Sequence, residues 1–318
     1  MPWRFGPPTA AQGGIPPHIG RAPIRAGIVA ERRRSGYDEI VMLRCWVFLC
    51  FLSFRAFGAA GAATIDAAVE QMYNFDFPAS HQILNQCIAA HPQDPLPYAF
   101  RAAADLFYEM DRLGILESEF LSDDARIIAK KKLLPDPAVR AQFYKALDDT
   151  ASRAEAALGA DPNDRSALFS MCISQGVATD YMALVEKHQF SSLSPAKRSN
   201  SYAQRLLRLD PKYYDAYLTT GFSEYIIGSL PFIIRWFVHF DNVTGSKERG
   251  VENVRLVARE GHYFKPFAKI LLGIAALREK KPQEARDLLA DLARDYPNNP
   301  LFRKELAKVT ATIGAAGN

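Results

Sequence analysis

The sequence predicts an all-α protein built from helical hairpins, and the main reason is a spacing rule that occurs five times. Each occurrence starts with a small residue, has an apolar or small residue four and seven positions later, and ends five positions after that, at a proline in every case but one. Steps of four and three residues place side chains on one face of an α-helix, and a proline stops the helix from continuing. The starting residues are Ser80, Thr150, Ser199, Gly250 and Ala285.

The residues that follow the prolines predict the other helix of the hairpin, which begins the next hairpin along the chain. A large residue stands six positions beyond three of the prolines and a small one four positions later, as in Tyr98 with Ala102 and Tyr217 with Gly221. Proline paired with Asp, Asn or Lys predicts the turns, and no stretch alternates for long enough to predict a strand. The predicted helices span 65–74, 79–90, 95–112, 123–132, 136–159, 164–187, 195–209, 213–228, 231–240, 247–260, 263–279, 282–295 and 299–312.

The hairpin unit resembles the tetratricopeptide repeat, whose period is about 34 residues. Successive occurrences of the spacing rule end 70, 49, 51 and 35 residues apart. Only the last interval therefore has the length of a single repeat without an insertion. The resemblance implies a solenoid of about five hairpins with insertions. Close helix packing in such hairpins predicts that leucine at Gly221 or Gly273 would overpack a helix contact.

The N-terminal part of the chain is typical of an export signal. Arg44 precedes a ten-residue apolar run, Cys45–Phe54, and Ala60-Gly61-Ala62 has the small-x-small form of a cleavage site. Residues 42–62 therefore predict a secretory signal peptide, which places the mature protein in the periplasm or envelope of a bacterium. An uncleaved N-terminal anchor is the alternative. Residues 1–41 are either a disordered extension or sequence ahead of the true start codon, and residues 63–318 form the predicted repeat domain.

The basic character of the whole chain belongs to the predicted leader. Residues 1–62 contain eight Arg against three Asp or Glu, a net charge of +5, while the whole chain carries +4. The predicted mature part is therefore about neutral, which argues against nucleic acid as a partner. Of the four cysteines, Cys87 and Cys172 remain outside the leader, and both are predicted to be buried thiols in different hairpins.

The concave surface of a tetratricopeptide solenoid is formed by the first helices of its hairpins. Transferred to this sequence, those positions predict an apolar wall that could bind a protein, a peptide or a lipid. The candidate wall residues are Leu106, Phe107, Phe169, Ile173, Leu218, Phe222, Tyr225, Phe267, Ile270 and Ile274. Variants of the repeat that hold a partner's terminal carboxylate carry Lys, Asn and Arg here, which this chain lacks.

An apolar wall of this extent needs a cover in a protein that is surrounded by water. The segment 225–240 (YIIGSLPFIIRWFVHF) is apolar, and proline interrupts it before it is long enough to span a bilayer. It either folds into the groove as a plug or forms an open surface that contacts a partner or a membrane. The candidate plug residues are Phe232, Ile233, Trp236, Phe237 and Phe240.

The segment that follows Tyr217 carries a second resemblance. Ser229-Leu230-Pro231, the Ile- and Arg-containing helix after it and Gly245-Ser246-Lys247 with Gly250 are similar to the diagnostic region of the tetratricopeptide-repeat-39 proteins and their yeast outer-membrane relatives. The stretch 284–302 resembles that family's last repeat. The resemblance implies a non-enzymatic adaptor with membrane or lipid-body association.

No catalytic or metal-ligating constellation stands out in the sequence. The six histidines lack metal-ligand spacing with Cys or carboxylates, and there is no Gly-rich phosphate loop and no G-x-S-x-G motif. We therefore expect no cofactor, no metal and no enzymatic activity. The leading hypothesis is an exported scaffold for protein–protein interaction. The alternative is an accessory protein that handles a lipid or small molecule, for example for a solute transporter.

Overall fold

The computed structural model describes residues 63–117, 133–229 and 245–316. The described residues all belong to one compact unit. They form eleven α-helices and contain no strand, which confirms the all-α prediction.

The helices follow one another with short connections, and α5 continues into a π-helical turn at Tyr181–Val185. The predicted helices 123–132 and 231–240 lie outside the described residues. The observed helices are α1 (Ile65–Tyr73), α2 (Phe77–Ala90), α3 (Leu96–Arg112), α4 (Pro137–Ala160), α5 (Arg165–Asp180), α6 (Gln189–Leu209), α7 (Ala216–Ser229), α8 (Lys247–Glu260), α9 (Lys265–Arg278), α10 (Pro282–Asp295) and α11 (Pro300–Ala316).

Most helices begin where a side chain caps the free backbone N–H groups of the first turn. Thr64 Oγ1 accepts from the N–H of Ala67 at 3.1 Å, and Ser246 Oγ accepts from Arg249 at 3.2 Å. Aspartates do the same for α2, α4 and α5. These caps explain why the starts of α1, α2, α4, α5 and α8 agree with those predicted to within about two residues.

Helix α6 differs from the prediction, because it begins six residues before Pro195 instead of at it. The prediction placed Pro195 in the first turn, where a missing N–H costs nothing. Pro195 is instead buried in the helix interior, so its packing offsets the hydrogen bond that a proline cannot donate.

The small residues that start each occurrence of the spacing rule are all buried, as the pattern predicts. The closest approach is between α7 and α8. A Cβ added to Gly221 would lie 3.0 Å from the carbonyl oxygen of Gly250, and one added to Gly250 would lie 2.7 Å from that of Gly221. At Gly273 an added Cβ would meet nothing within 4 Å, so the expectation of a tight contact there is wrong.

Each helix packs mainly on its neighbours in the chain, and α3 and α5 also pack on each other. The largest apolar cluster joins buried residues of α1, α2, α3, α5 and α6 to half-buried aromatic residues at the start of α9. Leu106, Phe143 and Tyr181 belong to a second cluster between α3, α4 and α5. Cys87 and Cys172 are free and buried, as predicted.

The first and last parts of the described unit are joined directly. Asn299, which is fully buried, donates from Nδ2 to the backbone oxygen of Tyr73 at 2.7 Å. The N–H of Asn298 donates to Asn74 Oδ1 at 3.2 Å, and the rings of Tyr73 and Tyr296 lie 5.4 Å apart. The turn after α1 therefore packs against the turn before α11.

Among the described residues, one continuous helical stretch, Arg165–Val185, is long and apolar enough to cross a membrane by length and composition. In the most apolar 18-residue window of this stretch, 56% of the window is buried inside the fold. This is the burial expected of a core helix.

Candidate binding surface

Three of the four predicted wall residues of α3 and α5 lie inside the protein, and the fourth, Phe107, is half-buried. Phe169 and Ile173 are buried in the largest apolar cluster, at 0% and 4% exposure. Leu106 is buried in the second cluster, against Phe143 and Tyr181 of α4 and the π-turn. Leu106 therefore does not share a surface with the other wall residues.

Side chains from the two ends of the predicted groove meet one another. The ring of Phe107 on α3 packs edge-on against that of Phe267 on α9, with centroids 5.6 Å apart. Phe169 on α5 lies 5.7 Å from Phe264 at the start of α9. These contacts bury much of the predicted wall within the chain itself, so it forms core where α3 and α5 face α9.

Helix α7 is where the predicted wall stays accessible. Leu218 is buried against α8 and α9, but Phe222 and Ile226, one and two turns further on, are 37% and 38% exposed. Tyr225 is half-buried, and the Lys247 ammonium lies 5.6 Å from the centre of its ring. Residues four apart on a helix are neighbours, so Phe222 and Ile226 form one apolar patch, which we call the α7 patch.

Two further wall residues, Ile270 and Ile274 on α9, are half-buried. They are four residues apart on the same face of that helix. Phe107 on α3 and Phe267 on α9 are half-buried as well. The most exposed residues of the predicted wall are therefore the two of the α7 patch.

The chain leaves α7 and returns to α8 at nearly the same place. A Cβ on Gly228 would lie 2.8 Å from the carbonyl oxygen of Gly245, and Gly245 has a φ of +72°, which favours glycine. The buried Glu224 carboxylate accepts from the N–H of Ser246 at 2.8 Å and fixes the returning chain. The five candidate plug residues lie between these glycines, outside the described residues.

Charged residues lie beside Tyr225, which precedes Ile226 of the α7 patch. The Lys247 ammonium pairs with Glu279 at 2.9 Å, and Glu279 also pairs with Lys281 at 2.8 Å. Hydrogen bonds from the two lysines lower the pKa of Glu279 to about 2. These side chains therefore form an ionised group next to Tyr225 at neutral pH.

Two buried carboxylates have structural roles that the sequence did not reveal. Asp215 accepts backbone N–H groups from His262, Tyr263 and Phe264 at 3.1, 3.2 and 2.8 Å, which fixes the start of α9. Burial raises the pKa of Asp215 despite these bonds. Glu109 accepts from Arg112 at 2.8 Å and from the N–H of Asp136 at 2.7 Å. Most hydrogen-bond partners of these two carboxylates are distant along the chain, so no local sequence pattern predicts the contacts.

The part of the chain that the structure describes contains no group of three or more His, Cys, Asp or Glu side chains placed to hold a metal ion. No family model, curated protein or solved structure matches the chain.

Proposed function

We propose that the protein is an exported, non-enzymatic scaffold of the tetratricopeptide-repeat type that binds another protein or a peptide through the α7 patch. The observation that carries this proposal is that Phe222 and Ile226 are the most exposed residues of the predicted wall, whereas its residues on α3 and α5 are buried or half-buried. An apolar pair exposed to water beside covered apolar residues is a suitable anchor for a partner.

The repeat assignment is supported by packing. Helices α2, α4, α6, α8 and α10 each carry the spacing rule, and each packs on the helix before it. The alternate helices α3 and α5 also contact each other, as do α5 and α7. This is the neighbour pattern expected when helical hairpins stack, and α11 then serves as the terminal capping helix.

The shape of the α7 patch favours a partner with regularly spaced apolar side chains. Phe222 and Ile226 are one helical turn apart, which suits an amphipathic helix that presents anchors at the same spacing. Their neighbour Tyr225 adds an aromatic surface beside Lys247. The ionised group formed by Lys247, Glu279 and Lys281 would orient such a partner by its charges.

Lipid or small-molecule handling is the second candidate, because the exposed groups of the α7 patch are apolar and an acyl chain would also cover them. The two candidates differ in what stays bound when the protein is purified gently.

Export is the remaining part of the proposal. Cleavage after Ala62 would leave Ala63 and Thr64 at the mature N-terminus, and Thr64 caps α1. The cleaved chain would thus keep the whole of its first helix. N-terminal sequencing of protein extracted from the cell envelope should begin at Ala63 or Thr64, and an intact leader or a cytosolic location would contradict export.

The binding proposal is tested with a double variant, Phe222→Ser with Ile226→Ser, and a matched control, Leu134→Ser, which removes another exposed hydrophobic side chain. We expect the wild type and the control, isolated from their own host, to carry the same bound molecule in native mass spectra. The double variant should lose it while keeping its helical circular dichroism. A bound protein or peptide supports the leading candidate, and a bound lipid supports the second. Equal binding by all three proteins would contradict the assignment to α7.

A further inference from the structure

A cavity of about 310 Å³ opens between α4, α5 and α6, away from the residues of the α7 patch. Its lining is mainly apolar and includes Leu147 and Ala151 of α4, Met182 of the π-turn and Pro195 of α6. Its size is at the lower limit of ligand pockets, about 300 Å³. The scaffold function proposed above makes no use of it.

A highly exposed aromatic residue precedes, in the chain, a residue that lines this cavity. Phe190, in the first turn of α6, is 91% exposed, more than any other large hydrophobic residue that the structure describes. The next residue, Ser191, lines the cavity. Phe190 itself does not line the cavity, so a large apolar side chain is left in water one residue away from an apolar cavity wall.

The two rims of the cavity carry opposite charges. Asp148 lines the α4 side and Arg198 the α6 side, and no ion pair joins them within the chain. Arg198 donates only to neutral acceptors, Gln175 Oε1 at 2.7 Å and Ser194 Oγ at 3.0 Å. Asp148 has no hydrogen-bond or ion-pair partner among the described residues, whereas the adjacent Asp149 pairs with Lys145 at 2.5 Å.

We propose that this face is a two-fold interface between two copies of the chain. In a two-fold contact the same patch meets itself, so a protruding group must lie next to the hole that receives its equivalent. Phe190 of each copy enters the cavity of the other. Asp148 and Arg198, on opposite rims, then pair across the axis in both directions, which is the charge complementarity that such a contact needs.

A stable interface of this kind buries about 800 Å² on each copy. Helix α4 has 24 residues and α6 has 21, so their outer faces on either side of the cavity are long enough to supply it. The interface leaves the α7 patch outside it.

The test is sedimentation velocity over a wide range of protein concentrations, on protein purified from cells that express the full-length chain. We expect a reversible monomer–dimer equilibrium for the wild type. Phe190→Ser should raise the dimer dissociation constant at least about tenfold, because a central aromatic anchor dominates such interfaces. Leu134→Ser, the matched loss of an exposed hydrophobic residue, should leave the equilibrium unchanged.

A charge exchange identifies the pairing across the axis. Asp148→Arg and Arg198→Asp should each weaken the dimer about tenfold, and the double variant should return to within about threefold of the wild type. Thermal unfolding checks that every variant is folded. A monomeric wild type, whether or not its cavity holds a small molecule, or a dimer that Phe190→Ser does not weaken would overturn the proposal. So would a failure of the double charge variant to recover.

Discussion

Gly221 and Gly250 face each other where α7 crosses α8, and each would place an added methyl group within 3.0 Å of the other's carbonyl oxygen. Backbone atoms cannot yield in the way that a flexible side chain does. The crossing therefore fixes α8 relative to the helix that carries Phe222 and Ile226.

This contact predicts that Gly250→Ala lowers the free energy of unfolding by about 1–3 kcal/mol, because overpacking forces the two helices apart. Gly273→Ala is the control. Its Cβ would enter open space, so the higher helix propensity of alanine should raise stability by up to about 1 kcal/mol. Urea unfolding measures both. Equal destabilisation by the two changes would contradict the packing of α7 on α8.

The junction between the first and last parts of the unit depends on Asn299. Asn299→Ala removes the bond to the backbone oxygen of Tyr73 and the cap on the N–H of Leu301, and should cost about 1–3 kcal/mol. Hydrogen exchange in α1 should also become faster. Asn298→Ala is the control, because Asn298 is exposed and only its backbone N–H bonds to Asn74. If Asn298→Ala lowers the free energy of unfolding as much as Asn299→Ala does, the side-chain bond of Asn299 is not what joins the two ends.

Apart from the start of α6, helix starts were predictable from the sequence to within about three residues, because capping aspartates, prolines and helical spacing are local signals. The small residues at Ser80, Thr150 and Ser199 were correctly expected to be buried for the same reason. The long-range contacts were not predictable. Nothing local shows that Phe107 meets Phe267, or that Asp215 caps a helix some 50 residues later. The predicted wall is a set of apolar residues, and only the structure shows which of them are core and which are accessible.

Stability should depend on pH through Asp180, at the end of α5. Desolvation raises its pKa to about 7, although the residue is only half-buried in the fold. Between about pH 4 and pH 7 the carboxyl group stays protonated in the folded protein and ionises in the unfolded chain, so the free energy of unfolding falls as the pH rises. We expect a fall of about 1–3 kcal/mol relative to Asp180→Asn, which cannot ionise.

Comparison with Asp180→Asn cancels the contributions of the other groups. Carboxylates such as Glu279, whose pKa is lowered to about 2, act in the opposite direction and mainly below pH 4.5. Chemical unfolding at a series of pH values gives the two curves. Parallel curves across this range would show that Asp180 is not desolvated.

Trp236 separates the plug hypothesis from the open-surface hypothesis. A plug predicts that Trp236→Ala costs about 3–5 kcal/mol and that the tryptophan emission is blue-shifted and shielded from quenchers. We expect the other result, little loss of stability and a red-shifted, easily quenched emission. The reason is that Phe222 and Ile226 are exposed and that α9 already covers Phe107 and Phe169. The predicted mature chain contains no other tryptophan, so the signal is unambiguous.

The most direct test of the central claim is photo-crosslinking from the α7 patch in the native envelope. A photoreactive phenylalanine derivative is placed at position 226 in one variant and at position 134, also exposed, in another. A partner that binds through α7 predicts one discrete adduct from position 226, identified as a protein by mass spectrometry, and none from position 134. No adduct from position 226, or the same adducts from both positions, would contradict it.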